Sequence, residues 1–136
     1  MPNRRTFLPC AALLLLGGWA ALSAGPPPDI AIKTIPPAGK GGETATEQIA
    51  GIVTGTYPEG ARVVIYAFAA DVWWVQPTVA EPYTQIGKDR KWSADTHLGQ
   101  NYAAVLVSWR YTAQPKLASL PAVGNDVLAV TRVKGR

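Results

Sequence analysis

The sequence predicts an all-β protein, an antiparallel sandwich of about seven strands, on three observations. Short runs rich in β-branched and aromatic residues recur between turn-forming glycines, prolines and aspartates. Beyond the first two dozen residues no stretch carries the 3.6-residue apolar period of an amphipathic helix, so crossover helices and a parallel sheet are not expected. The segment Tyr102–Trp109 is apolar on both alternations, Tyr102, Ala104 and Leu106 against Ala103, Val105 and Val107, as in a central strand covered on both faces.

The chain opens with Arg4 and Arg5, runs through apolar residues from Ala11 to Leu16 and Trp19 to Leu22, and reaches the small residues Ser23, Ala24 and Gly25. That order is the order of a secretory signal peptide, assigned to residues 1–24 with cleavage near Ala24. The apolar run is interrupted by Gly17 and Gly18 and falls short of the roughly 20 residues a membrane-spanning helix needs. No membrane span is therefore expected after cleavage, and the expected location is periplasmic or extracellular. Arg4, Arg5, Phe7 and Leu8 are similar to the twin-arginine export motif, while the strongly apolar Leu13–Leu16 suits the general secretory route. Cys10 precedes the apolar run, unlike a lipoprotein cysteine, and is removed with the signal.

Residues 25–46 read as a linker rich in proline and glycine, with Pro26, Pro27 and Pro28 in a row, a second pair at Pro36 and Pro37, and a candidate edge strand over Asp29–Ile35. Gly39, Lys40, Gly41 and Gly42 lack the spacing of a phosphate-binding loop and read as a hinge. Residues 47–136 form the sandwich. Its expected strands are Ile49–Thr54, Arg62–Phe68, Val72–Gln76, Tyr83–Ile86, a short run around Trp92, Tyr102–Trp109 and Val127–Val133. In the second of these, Val63, Ile65 and Ala67 make the core face, with Arg62, Val64 and Tyr66 nearer the other surface.

The formal charge of +4 drops by two when Arg4 and Arg5 leave, and the remaining charges are scattered, with no basic face for nucleic acid. His97 is the only histidine and no cysteine follows Cys10, so an ordinary zinc or transition-metal site is not expected and no cofactor is implied. His97 reads as a brace for the loop before Tyr102. Asp71, Glu81, Asp89 and Asp95 read as turn and solubility residues rather than a catalytic pair, and no enzyme is expected.

The aromatic residues carry the functional reading. Trp73 and Trp74 are adjacent, so in a strand their side chains point to opposite faces, one into the core and the other either exposed or buried under the loop from Pro77 to Pro82. An exposed indole stacks on a sugar ring or anchors a protein partner, whereas a buried one is only core bulk. Tyr66, Trp73, Trp74, Tyr83 and Trp92 are the candidate contact residues, with Gln76 and Asp71 as hydrogen-bonding neighbours, although Trp92, following the turn at Asp89, also reads as a plug at one end of the core. Two functions fit: a binding module for polysaccharide, or an assembly module of the cell envelope that pairs a sheet edge with a protein partner. Composition does not specify an oligomeric state.

Five pieces, Gly51-Ile52-Val53-Thr54-Gly55, Arg62-Val63-Val64-Ile65-Tyr66-Ala67, Trp74-Val75-Gln76-Pro77, Asp89 with Trp92, and Thr96-His97-Leu98-Gly99 followed by Tyr102-Ala103-Ala104, carry a resemblance. In this order and spacing they resemble an immunoglobulin-like β-sandwich accessory domain of secreted and surface-attached bacterial proteins. The resemblance implies a fold and an extracytoplasmic location more than an activity. Two features depart from it: Arg90 stands where a glycine would ease the turn after Asp89, and no companion catalytic module accompanies the domain.

Overall fold

A computed structural model describes residues 25–42 and 44–136. The expected signal peptide, with its arginines, Cys10 and cleavage site, lies outside the described residues. The described residues form nine strands: β1 (Asp29–Thr34), β2 (Thr46–Thr54), β3 (Arg62–Ala69), β4 (Val72–Gln76), β5 (Tyr83–Thr84), β6 (Lys91–His97), β7 (Asn101–Val107), β8 (Lys116–Leu117) and β9 (Val127–Lys134). The described residues contain no helix, and so none long and apolar enough to cross a membrane. All pairings are antiparallel, in two sheets ordered β1-β2-β6 and β8-β4-β3-β7-β9, with β5 also beside β3. The two sheets pack as a sandwich.

Each expected strand is present, Val72–Gln76 with the expected bounds and the others with shifted ends. The additions are β1, at the position of the candidate edge strand, and β8, a two-residue strand in a proline-flanked loop that carries no β-rich run. β4 and β5 lie end to end along the same side of β3: Gln76 to Val72 pair Ile65 to Ala69, and Thr84 and Tyr83 pair Val63 and Val64. They act as one strand interrupted by the loop 77–82. The turn joining β3 to β4 consists of Ala70 and Asp71, at φ of 53° and 62°, the positive values of a tight hairpin whose twist suits its strands.

Alternation along β3 places Val63, Ile65 and Ala67 between the sheets, facing Ile30, Ile32, Ile49, Val53 and Trp92 of the opposite layer. This is the core face the sequence predicts. Trp92 fits because Gly51 opposes it: a Cβ at Gly51 would collide with the Ala31 carbonyl oxygen and come within 2.6 Å of the Trp92 ring.

The other face of β3 is also buried. Val64 and Tyr66, with Trp73, Val75, Ala103 and Val105, form a second apolar cluster, packed against Tyr111, Ala113, Leu117 and Leu120 from the segment 108–126. That segment is fastened by Tyr83, whose hydroxyl donates to Tyr111 O at 3.0 Å and accepts from Ala113 N at 3.1 Å. Val75 N donates to Pro115 O at 3.0 Å beside the β4–β8 pairing. Tyr66 is thus fully buried, rather than on a surface, because the connection between β7 and β9 folds back over the sheet.

The proline-rich stretch is likewise part of the sandwich where an extended linker was expected. β1 buries Ile30 and Ile32, and Pro36 is fully buried. Arg136 N donates to Pro36 O at 3.0 Å and Ala38 N to Arg136 O at 3.1 Å, while Tyr102 Oη donates to Pro37 O at 2.7 Å. Prolines suit this path because they run along an edge where their missing N–H leaves no ladder bond unmade.

A groove beside Trp74

The two sheets differ in width. The narrower sheet ends at β6, which packs against β4 and β5 of the wider one. Trp73 points from β4 into the covered outer face and is 5% exposed; Trp74 points the other way and is 40% exposed. The division of labour expected for the adjacent pair holds. Trp74 is held in place, since its Nε1 donates to Ala69 O at 2.9 Å. The Lys116 ammonium stands 5.6 Å from its ring centroid, within cation–π range.

The exposed ring borders a groove of about 500 Å³ with Ala67 and Ala69 at its base, Gln76, His97 and Leu98 on one side and Lys40, Gly41 and Gly42 on the other. Gly41 has φ of 92°, and a Cβ there would collide with that of Ala69, so only glycine lets the strap approach this closely. The residues read from sequence as a hinge are a wall of the groove.

Gln76 is buried and organises the polar side. Its Oε1 accepts from His97 N at 2.9 Å and lies 3.1 Å from His97 Nδ1. The backbone N–H fixes the amide orientation, and because Oε1 only accepts, Nδ1 must carry the ring proton of this hydrogen bond. In the neutral imidazole Nε2 is then an acceptor. His97 does brace the chain, but through the Gln76 side chain rather than through the backbone bonds the sequence suggests. Gln76 Nε2 makes a longer contact, 3.4 Å, with Trp74 O.

The other candidates fall elsewhere. Burial removes Tyr66, Trp73 and Trp92 from any stacking surface, each being packed in one of the two cores. Tyr83 is half-buried, its hydroxyl spent on the 108–126 segment and its ring covered by the Arg62 guanidinium 3.5 Å from the centroid. Asp71 serves the β3–β4 turn and does not line the groove. Asp89 accepts from Lys91 N at 3.0 Å in the turn before β6, where Arg90 adopts φ of 71°, the strained position that its mismatch with glycine marks. Sequence reasoning missed Trp109, which is 60% exposed, and the wall residues Lys40 to Gly42. A second, larger hollow of about 810 Å³ crosses the outer face of the narrow sheet near Ala50, Ile52 and Ile86. It is a shallow sheet surface with no exposed aromatic ring, since Trp92 beside it is 2% exposed.

Among the described residues no three histidine, cysteine or carboxylate side chains are grouped to hold a metal ion. The groove brings the aromatic face of Trp74 beside the polar side chains of Gln76 and His97, an arrangement that can bind and orient a polar ring. Comparison with known proteins finds no matching family model, no significantly similar curated protein and no significantly similar solved structure. Fold and site together define an all-β sandwich with a small aromatic-walled groove at the edge of its wider sheet.

Proposed function

We propose that the protein is an exported, non-enzymatic binding module of immunoglobulin-like type that binds carbohydrate at Trp74. The observation that carries the reading is the 40% exposure of Trp74 over a groove shared with Gln76 and His97. A rigid indole covers the apolar face of a sugar ring at little entropic cost, and the flanking polar groups match ring hydroxyls. The immunoglobulin-like assignment is supported by strands β1, β2 and β6 opposing β4, β3, β7 and β9. It is also supported by Tyr102 near the start of β7, whose hydroxyl accepts from Gly99 N three residues upstream at 3.0 Å, as in a tyrosine corner. Export rests on the order of charged, apolar and small residues in 1–24.

An assembly role through the β6 edge draws less support. Val53 N donates to Arg90 O, so by alternation Lys91, Ser93, Asp95 and His97 direct their backbone groups away from β2. Lys91 O is taken by Gly87 N and His97 N by Gln76, which leaves only Ser93 and Asp95 to receive a partner strand. Affinity electrophoresis through gels containing different soluble polysaccharides tests the carbohydrate reading. Retardation by at least one polysaccharide, lost in Trp74→Ala, is expected; equal migration of both proteins in every gel contradicts it.

A further inference from the structure

A third hollow lies on the opposite face of the wider sheet from the Trp74 groove, and two cations of β9 border it. Register carries one row of side chains across that face: Trp73 opposes Phe68, Phe68 opposes Asn101, and Asn101 opposes Lys134. Residues paired in this way share a face, with neighbouring strands about 5 Å apart. Arg132 stands two positions from Lys134 along β9 and so on the same face. Phe68, Trp73, Asn101, Arg132 and Lys134 are among the residues lining this hollow of about 400 Å³, large enough for a small molecule.

Its floor is aromatic and its rim cationic. The half-buried Phe68 ring is backed by Trp73, the two centroids 5.0 Å apart and the planes tilted by 54°. Arg132 and Lys134 are exposed, and among the described residues neither side chain has a hydrogen-bonding or ion-pair partner. Two like charges on one strand face repel each other, and a shared counter-anion relieves that repulsion. A pair of unpaired cations matches a doubly charged oxyanion, and a phosphate monoester carries about −1.5 to −2 at neutral pH.

We infer that this hollow binds a phosphate monoester carried on an aromatic ring, as a soluble small molecule. The ring packs on Phe68, and the phosphate lies toward Arg132 and Lys134, whose N–H groups donate charge-assisted hydrogen bonds. Arg132 presents a planar fork to two oxygens, and Lys134 adds a compact point charge. Asn101, between Phe68 and Lys134 in the row, offers an amide donor to a further oxygen. The hollow shares no described lining residue with the Trp74 groove, so its ligand is independent of carbohydrate binding there.

Calorimetric titration with phenyl phosphate, inorganic phosphate and benzyl alcohol at constant ionic strength tests this. Phenyl phosphate should saturate the site, with inorganic phosphate weaker and benzyl alcohol weaker still. Arg132→Gln and Lys134→Gln, at exposed positions, should each lower the phenyl phosphate affinity roughly threefold to tenfold. Trp74→Ala should leave it unchanged, as should the double variant Lys33→Gln, Lys91→Gln, which removes two lysines bordering the hollow on the narrow sheet. Equal loss in that double variant means nonspecific attraction and overturns the inference. Loss in Trp74→Ala places the ligand in the other groove and overturns it too. Equal affinity for phenyl phosphate and inorganic phosphate removes the aromatic floor from the site and contradicts the proposal. Retention on phosphatidic acid vesicles without binding of phenyl phosphate makes the patch a membrane contact instead. Binding of no probe also overturns the inference and leaves Arg132 and Lys134 as charges guarding the β9 edge of the sheet.

Discussion

Gln76 Oε1 accepts a hydrogen bond from His97 N at 2.9 Å, and in doing so joins β4 of the wider sheet to β6 of the narrower one. One buried amide closes the end of the β6 edge, sets the histidine tautomer and forms a side of the groove. Gln76→Ala leaves the His97 N–H without its acceptor and costs about 1 to 3 kcal/mol of stability, read as a lower urea midpoint. Gln76→Glu keeps an acceptor at that position and should retain more of the stability than Gln76→Ala.

The two adjacent tryptophans should separate stability from binding. Trp73→Ala opens a cavity beneath the 108–126 segment and costs about 3 to 5 kcal/mol. Trp74→Ala removes a half-open ring and one hydrogen bond, so its unfolding midpoint should stay much closer to that of the parent protein. Chemical denaturation of both variants checks the order.

Gly51→Ala should destabilise by at least about 1 to 3 kcal/mol, since the new methyl meets the Ala31 carbonyl and the Trp92 ring. Shortening Trp92 to leucine as well should not restore the parent curve, because the closest clash is with the Ala31 backbone carbonyl. A full rescue by Trp92→Leu would place the strain in the indole instead.

Tyr66 should make the fold sensitive to alkali. Burial, then the contact with the Tyr111 hydroxyl, pushes its phenol far above the ordinary tyrosine value. The unfolded phenol ionises near pH 10. The native chain keeps a proton that the unfolded chain gives up, so this contribution to stability is whole below about pH 10 and is lost as pH rises above it, by at most about 1.4 kcal/mol per unit. Tyr66→Phe should flatten that part of the stability profile. An unchanged slope between the two proteins would show that other groups dominate.

The strands were legible because each has its own period and its own turn signals. The core face of Val63, Ile65 and Ala67 and the opposite facing of Trp73 and Trp74 follow from alternation alone. What alternation cannot supply is which second layer covers a face. Tyr66 is buried because residues 108–126 return over β3 and β7, and nothing local to Tyr66 records that path. Lys40 to Gly42 suggested a hinge by composition, yet they form a wall, the chain just before them being held by Arg136 at Pro36 and Ala38 and by Gly99 at Gly39. Trp92 is the core plug that its place after a turn suggested, with Gly51 making room for its ring. The groove itself brings Ala67 and Ala69 of β3, Trp74 and Gln76 of β4 and His97 of β6 together, a property of tertiary packing that no sequence window contains.

The most direct measurement is the shift of each tryptophan indole N–H resonance during titration with a polysaccharide that retards the protein. Trp74 is predicted to shift progressively to saturation while Trp73 and Trp92, buried in separate cores, stay in place. Saturable shifts confined to Trp109, or binding with no movement at Trp74, would contradict carbohydrate recognition at this groove.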